Sequence, residues 1–184
     1  LKDNKLSIDH LDLGGGFGFT YNDEKKLNLK KLSTLLISTF GKTSYDISFE
    51  PGRYLVAKSG ILITKILTCK TNGMINFLIT DAGMQTFLRP ALYNAHHKII
   101  ALKKNHRNNK EYTIAGPICE SSDIIAKKII LPEQKTENLL AICDTGAYGS
   151  VMSSNYNSKE LPSEILIHDN KYSIIRNQEN ISEV

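Results

Sequence analysis

Hydrophobic spacing over the first sixty residues alternates between strand and helix patterns. Apolar side chains within residues 8–13 indicate a short strand that runs directly into glycine. The segment 22–41 repeats leucine at helical spacing, with Asp23 as a candidate N-cap and Gly41 as the residue that stops the helix. A second short strand, within YDISFEPGRYLV, leads into a Pro-Gly break. Strand, helix and strand in this order predict parallel strands, as in α/β barrels.

From about Gly60 onward the pattern is that of β-strands. Two β-rich runs in GILITKILTCKTNGMINFLITDAG are joined across Thr71-Asn72-Gly73, and Asn-Gly is a strong hairpin signal. Asp169-Asn170 indicates another hairpin turn near the end of the chain. We therefore expect a change from α/β to mostly β structure near Gly60, while residues 57–67 are compatible with a helical or an extended start.

Three consecutive glycines, Gly14, Gly15 and Gly16, follow the first predicted strand. Glycine adopts positive φ freely and lets a ligand approach the backbone closely. Backbone N–H groups exposed in such a turn bind anions, most often phosphate. An ordinary strand-to-loop turn has the same composition, so the glycines by themselves leave both interpretations open.

Composition and charge argue against several classes of protein. Apolar residues make up 41% of the 184 residues, which is enough for a hydrophobic core. The net charge is +4, and the densest basic run, KKNHRNNK at 103–110, lacks aromatic residues. We interpret that run as a solvated loop rather than a nucleic-acid surface. No apolar run reaches the roughly 18 residues of a membrane span, so we expect no membrane segment.

The cysteines also bear on the compartment. Cys69, Cys119 and Cys143 are odd in number and widely spaced, which argues against a disulfide framework and against a zinc site. We therefore expect no metal and a reducing compartment, the cytoplasm.

Five segments in order carry a resemblance to a known family. They are LDLGGGFG (11–18), EPGRYLV (50–56), LRPALYNAHH (88–97), GPICESSD (116–123) and DTGAYGSVMSSNYN (144–157). Together they resemble the diaminopimelate decarboxylases, pyridoxal-phosphate enzymes of the alanine-racemase-like fold that make L-lysine. The resemblance runs from residue 11 to about residue 176.

The resemblance implies a fold and a domain division. Residues 1–58 would be the last strands of a (β/α)8 barrel that binds pyridoxal phosphate, with the rest of the barrel upstream. Residues 59–184 would form a mostly β C-terminal domain, a β-barrel or sandwich. Residues 88–97 are expected to return to the active site or to the dimer interface.

The resemblance also implies a cofactor site. The glycines of the turn, Gly14, Gly15 and Gly16, would bind the phosphate of pyridoxal 5'-phosphate, because side chains there would block its oxygens. Glu50 would lie beside the cofactor, and Tyr148 would contact both cofactor and substrate. Without the other segments, Glu50 and Arg53 would read as a surface ion pair beside a turn.

For the substrate, meso-diaminopimelate, the resemblance implies binding by Arg53, Arg89, Tyr93 and Glu120. An arginine fork beside a phenol suits the carboxylate at the far end of this molecule. The alternative is that Tyr93 and its leucine neighbours only cover a core. We assign no functional role to His96 or His97 and expect them to be structural or solvated.

Cys119 is the candidate catalytic residue. In this family the cysteine reaches across a homodimer interface and donates a proton after CO₂ has left, and Glu120 contacts the substrate. A thiol serves as the acid if it stays protonated until the carbanion forms. The alternative for Cys119, and our interpretation of Cys69 and Cys143, is a small buried hydrophobic residue.

The lysine that forms a Schiff base with the cofactor has no counterpart in this chain. In the family it lies upstream of the glycine turn, and Lys2 and Lys5 are not in a matching context. We therefore expect the chain, which begins at Leu1, to be the C-terminal portion of such an enzyme and to be poorly folded and inactive alone. Two alternatives are an ornithine- or arginine-type decarboxylase and a non-catalytic fragment of the same family. The segments LRPALY and CES favour the diaminopimelate group.

Overall fold

The computed structural model describes residues 8–21, 24–103 and 108–178. It divides the chain into two compact units, Leu1–Ala57 and Lys58–Val184. Asp23, Lys2, Lys5 and residues 104–107, half of the basic run at 103–110, lie outside the described residues. The proposed solvated loop stays a prediction for residues 104–107, but Asn109 and Lys110 belong to a β-strand. The proposed helix cap at Asp23 does not hold, because the helix is capped by Asn28.

The first unit contains two parallel strands with a helix between them. Strand β1 (His10–Asp12) pairs in parallel with β2 (Asp46–Ser48), and helix α1 (Leu29–Phe40) connects them. The short helix α2 (Gly52–Val56) follows β2 directly after the Pro-Gly break. The predicted parallel arrangement is confirmed, and it places the carboxyl ends of both strands at one edge.

Helix α1 is shorter than its hydrophobic pattern predicted. It begins at Leu29 because the Asn28 side chain accepts a hydrogen bond from the Lys31 amide, which makes Asn28 the N-cap. Residues 24–28 are not helical. The stop at Gly41 is confirmed, since the Gly41 amide donates to the Ile37 carbonyl at the end of the last turn.

The second unit is built on one six-stranded sheet in the order β5-β8-β3-β4-β6-β7. Its strands are β3 (Leu62–Asn72), β4 (Ile75–Thr80), β5 (Ile99–Ala101), β6 (Asn109–Ala115), β7 (Ile124–Pro132) and β8 (Leu139–Ile142). Only β4 and β6 pair in parallel. A separate antiparallel hairpin of β9 (Glu164–His168) and β10 (Lys171–Arg176) completes the β structure, and helix α3 (Arg89–Tyr93) lies between β4 and β5 in the chain.

Both predicted hairpins form, with one shift in turn position. Asn72 still pairs with Ile75, so the β3–β4 turn consists of Gly73, at φ +58°, and Met74. In the β9–β10 turn, Asp169 and Asn170 both have left-handed φ angles, 49° and 59°. Such two-residue turns match the right-handed twist of the flanking strands.

The start of the second unit settles the ambiguity over residues 57–67. A 3₁₀ turn at Ala57–Ser59 is followed by the extended β3, so the segment is helical only at its beginning. A Cβ at Gly60 would lie 2.6 Å from the Gly146 Cα, and the Thr145 amide donates to the Gly60 carbonyl. The loop after β8 is therefore packed directly against the start of β3.

The hydrophobic core lies within the six-stranded sheet. Its fully buried members come from four different strands and one loop: Ile66, Leu78, Phe87, Ile114, Leu140 and Ile142. Burial of such side chains contributes about 1.5–3 kcal/mol each. This core fixes the strand ends from which the loops 116–123 and 143–149 leave the sheet.

Candidate functional site

The glycine turn lies at the carboxyl end of β1, next to the residues that follow β2. The Leu13 amide donates to the Ser48 carbonyl, and the Glu50 amide donates to the Gly14 carbonyl at 2.9 Å. A Cβ at Gly15 would lie 2.8 Å from the Glu50 carbonyl oxygen, so only glycine permits this approach. The structure therefore brings Glu50 and the glycine turn together.

The turn itself has the conformation of an anion cradle. Gly14 and Gly16 have φ angles of +72° and +75°, and a Cβ at either position would meet no atom within 4 Å. The Gly14 amide donates to the Asp12 carboxylate at 2.6 Å. Among the described residues, the Gly15 and Gly16 amides have no hydrogen-bond acceptor. These two N–H groups are thus the free donors of the turn.

Asp12 holds the glycine turn through a hydrogen bond from the Gly14 amide. Hydrogen bonds from the Gly14 amide and the Ser48 hydroxyl lower the pKa of its carboxyl group. The group is therefore charged at neutral pH, and it restrains Gly14 rather than contacting a ligand. Sequence reasoning did not single out Asp12.

Arg53 lies in α2 and contacts a tyrosine rather than an acid. Its Nη1 donates to the Tyr21 hydroxyl at 3.2 Å, and its Cζ lies 5.7 Å from the centre of the Tyr21 ring. Arg53 and Glu50 form no ion pair within the described residues, so the surface-pair interpretation is wrong. Tyr21 follows the glycine turn in the chain, but its position in the sequence did not indicate a contact with Arg53.

In the second unit, three of the predicted site residues come together. The Arg89 guanidinium lies between two aromatic rings, with its Cζ 5.3 Å from the Tyr93 ring centre and 5.1 Å from the Tyr148 ring centre. Arg89 is 9% exposed, and its Nε has no hydrogen-bond partner. A buried guanidinium donor without a partner is able to bind an anionic group.

Tyr148 reaches Arg89 from a constrained turn. Tyr148 has a φ of 59°, an unfavourable conformation for a bulky residue. A Cβ at Gly149 would lie 2.4 Å from the Thr145 carbonyl, so the turn closes tightly around this point. Left-handed conformations of this kind cost about 1–2 kcal/mol and persist where surrounding structure holds them.

Cys119 and Glu120 lie in the loop between β6 and β7, and both are exposed. The Tyr156 hydroxyl donates to the Glu120 Oε1 at 2.6 Å, and the Asn157 Nδ2 lies 3.6 Å from the Cys119 Sγ. The hydrogen bond to Glu120 and the negative charge of that carboxylate raise the pKa of Tyr156. Sequence reasoning assigned no role to Tyr156 or Asn157.

Asp123 holds this loop in place. Its buried carboxylate accepts hydrogen bonds from the Met84 and Ile118 amides at 2.7 and 2.8 Å. A Cβ at Gly116 would lie 2.4 Å from both carboxylate oxygens, which explains the glycine there. Burial raises the pKa of Asp123, although the two amide donors act in the opposite direction. The acid at the end of GPICESSD was the available signal for this role.

The cysteines and histidines outside the site differ from expectation in one respect. Cys69 is exposed and Cys143 half-buried, so the prediction of small buried residues is wrong for Cys69. Cys69 falls in the outer half of β3, beyond the buried segment of that strand. His97 is structural, as predicted: its Nδ1 is 2.9 Å from the Cys143 carbonyl oxygen, and its ring packs edge-on against Phe87.

The described part of the chain contains neither a membrane-spanning helix nor a metal-binding cluster. No helix there has the length and apolar character needed to cross a membrane. Within the same residues, no group of three or more His, Cys, Asp or Glu side chains is arranged to hold a metal ion.

These features point to the pyridoxal-dependent decarboxylases. The family model for the C-terminal sheet domain of pyridoxal-dependent decarboxylases matches residues 20–146. Since the match covers most of the chain, the chain belongs to this family, and the six-stranded sheet is consistent with a mostly β sheet domain.

More specific similarity is to one group of these proteins. The chain is 38% identical over its whole length to the diaminopimelate decarboxylase of Haemophilus influenzae, covering 45% of that protein. It is 33% identical to the diaminopimelate decarboxylase of Archaeoglobus fulgidus, covering 97% of this chain and 44% of the relative. The chain thus spans less than half the length of these relatives.

Solved structures of the same group have the same fold. The crystal structure of the Helicobacter pylori diaminopimelate decarboxylase complexed with L-lysine superposes with a TM-score of 0.87 at 38% identity, covering 95% of this chain and 43% of that chain. The M. jannaschii enzyme in complex with L-lysine gives a TM-score of 0.89 at 34% identity, covering 97% and 42%.

Proposed function

We propose that this chain is the C-terminal part of a cytoplasmic diaminopimelate decarboxylase that converts meso-2,6-diaminopimelate to L-lysine and CO₂. Identity of 33–38% over nearly the whole chain to proteins of that name supports the proposal. The observation that carries it is the buried Arg89, whose Nε has no hydrogen-bond partner and whose guanidinium carbon lies within 5.3 Å of the ring centres of Tyr93 and Tyr148. Such a group matches the second carboxylate that diaminopimelate has and ornithine and arginine lack.

Residues 1–58 are proposed as the last part of a (β/α)8 barrel, and residues 59–184 as a separate β domain. The parallel β1 and β2 joined through α1 are consistent with barrel strands, whose carboxyl ends carry the site residues. The β domain presents Arg89, Tyr93 and the loop with Cys119.

The first unit fits the phosphate of pyridoxal 5'-phosphate. The Gly15 and Gly16 amides are available as donors, and the positive φ of Gly14 and Gly16 leaves open space where side chains would otherwise stand. Glu50 is proposed to contact the cofactor because its backbone is fixed against the glycine turn. When bound, pyridoxal phosphate accepts the electron pair left on the substrate carbon as CO₂ departs.

The far end of the substrate carries a carboxylate and an ammonium group. Arg89 is proposed to bind the carboxylate through its guanidinium fork, which the rings of Tyr93 and Tyr148 orient. Glu120 is proposed to bind the ammonium group. Arg53, half-buried against Tyr21, is proposed as a further carboxylate ligand.

Cys119 is proposed as the proton donor. Loss of CO₂ breaks a carbon–carbon bond, and the same carbon must then form a bond to hydrogen. The Cys119 Sγ–H supplies that proton and becomes a thiolate. The exposure of Cys119 and Glu120 supports a second proposal, that both act on the site of a partner copy in a homodimer.

The proposal is tested with the full-length protein and a panel of amino acids. Release of CO₂ is measured with meso-diaminopimelate, L-ornithine and L-arginine at equal concentration. We expect kcat/KM for meso-diaminopimelate to exceed the others by at least about a hundredfold, since an unpaired buried arginine penalises substrates without the far carboxylate. Preference for ornithine or arginine would support the rival decarboxylase, and inactivity on all three would support a non-catalytic protein.

A further inference from the structure

Two side chains of a turn at 156–158 contact the two functional residues of the β6–β7 loop. The Tyr156 hydroxyl donates to Glu120, and the Asn157 amide approaches the Cys119 sulfur. The contacts join residues 36 and 38 positions apart. Neither Tyr156 nor Asn157 belongs to the site derived above, so their role follows from these contacts alone.

The turn is held in an unusual conformation. Asn157 and Ser158 have φ angles of 56° and 52°, two successive left-handed residues without glycine. The turn is closed by a hydrogen bond from the Asn155 side chain to the Lys159 carbonyl at 3.0 Å. Left-handed backbone is unfavourable for most residues other than glycine, and it clusters at functional sites. Here it directs the Asn157 amide toward Cys119.

The contact between Asn157 and Cys119 bears on the proposed role of Cys119 as a proton donor. A thiol sulfur is a weak hydrogen-bond acceptor, whereas a thiolate is a strong one. Negative charge develops on the Cys119 Sγ as its proton leaves. An N–H donor already 3.6 Å away therefore favours the thiolate more than the thiol.

The tyrosine contact occupies one oxygen of the Glu120 carboxylate. Its Oε1 accepts from Tyr156 at 2.6 Å. Within the described residues, no hydrogen bond to its Oε2 is present. The carboxylate is thus held by one oxygen, and the other is left for a cationic group of the substrate.

We propose that Asn157 and Tyr156 are positioning residues: Asn157 orients and stabilises the Cys119 sulfur, and Tyr156 orients the Glu120 carboxylate toward the substrate ammonium group. This inference rests on the proposed function. Its first test needs no substrate, so its failure is distinguishable from failure of that function.

The first test measures the alkylation rate of Cys119 by iodoacetamide at pH 7 in the full-length protein. Peptide mass spectrometry follows each cysteine, and the exposed Cys69 in the same sample is the internal reference. Asn157→Gly removes the amide and accepts the left-handed φ. Asn170→Gly is the matched control, because Asn170 has a φ of 59° in the distant β9–β10 turn.

We expect Asn157→Gly to lower the Cys119 to Cys69 rate ratio about three- to tenfold, because the variant removes the N–H donor that lies 3.6 Å from the Cys119 sulfur. Asn157→Asp, which puts a carboxylate where the donor was, should lower it further. Asn170→Gly should leave the ratio within about twofold. An unchanged ratio in both Asn157 variants, or an equal decrease in Asn170→Gly, would overturn the role of Asn157.

The second test separates substrate binding from turnover in the Tyr156→Phe variant. Loss of the hydroxyl frees Glu120 to rotate, so KM for meso-diaminopimelate should rise about five- to twentyfold while kcat changes less than about threefold. Tyr172→Phe is the control, since Tyr172 is exposed on β10. Equal effects in both variants, or a loss confined to kcat, would overturn the role of Tyr156.

Discussion

The glycine turn gives the sharpest test of the cofactor site, through the substitution Gly15→Ala. The added Cβ would lie 2.8 Å from the Glu50 carbonyl oxygen, against an ordinary contact of at least 3.4 Å. Backbone atoms on one side or the other must therefore move by about 0.6 Å. Gly15 has no positive φ, so the effect is a clash and not a change of backbone preference.

The magnitude follows from the strain of overpacking, about 1–3 kcal/mol. In the free protein the glycine turn can relax away from Glu50. The phosphate-bound form needs the turn and Glu50 in the positions seen here. The strain then falls on the bound form and weakens pyridoxal phosphate binding about five- to 150-fold.

The assay is a fluorescence titration of the cofactor-free, full-length protein with pyridoxal phosphate. Gly18→Ala is the matched control, because a Cβ there meets no atom within 4 Å and the position has no positive φ. We expect Gly18→Ala to bind within about twofold of the unmodified protein. Equal binding by Gly15→Ala, or equal weakening by Gly18→Ala, would refute the phosphate site at this turn.

Three further predictions concern stability. Asp123→Asn keeps the side-chain shape but removes one acceptor, so hydrogen exchange at the Met84 or Ile118 amide should accelerate and stability should fall by about 1–3 kcal/mol. Because the pKa of Asp123 is raised on folding, its contribution to stability is complete below its unfolded pKa of about 4 and is lost as pH rises through the higher folded value. Asp123→Asn should therefore flatten the thermal unfolding midpoint against pH from about pH 4 upward, and an unchanged slope would contradict this. In the β9–β10 turn, Asn170→Ala should reduce stability by about 1 kcal/mol while Asn170→Gly does not, measured by thermal unfolding; equal midpoints would contradict the left-handed turn.

Local patterns in the sequence were enough to predict both hairpins and the parallel β1 and β2, whereas β5 and β6 were not predicted. Gly73 and the Asp169-Asn170 pair specify tight turns because their backbone preferences act within two or three residues. The start of α1 was predicted too early, since the leucine spacing continues upstream of Asn28. The helix nevertheless begins only after Asn28, because the Asn28 side chain caps its first turn.

The site was predicted only as far as the family resemblance reached. Resemblance named Arg89 and Tyr148, but their stacking depends on a loop and a short helix brought together across the sheet domain. Asp123, Tyr156 and Asn157 were missed because each acts on residues far away in the chain, which periodicity does not report. The acid at the end of GPICESSD was visible in the sequence, but its close packing against Gly116 is seen only in the structure.

Cys69 was predicted to be buried from its residue type, and the structure shows it exposed. Alternation along β3 buries Thr64 and Ile66, but every residue from Leu67 to Asn72, including Cys69, is exposed. The strand extends beyond the core before it turns, so its outer half is exposed on both faces. Strand length relative to the core, rather than residue type, decides burial there.

The proposed role of Arg89 is to hold the far carboxylate of a diamino diacid. The most direct measurement compares Arg89→Ala with the unmodified full-length protein for KM toward meso-diaminopimelate and for the Kd of pyridoxal phosphate. Loss of a charged hydrogen-bond donor worth about 1.5–3 kcal/mol should raise KM about ten- to 150-fold, while the cofactor Kd changes less than about threefold. Arg89→Lys should recover part of the loss, because it restores the charge without the fork. Equal weakening of substrate and cofactor, or an unchanged KM, would contradict the claim.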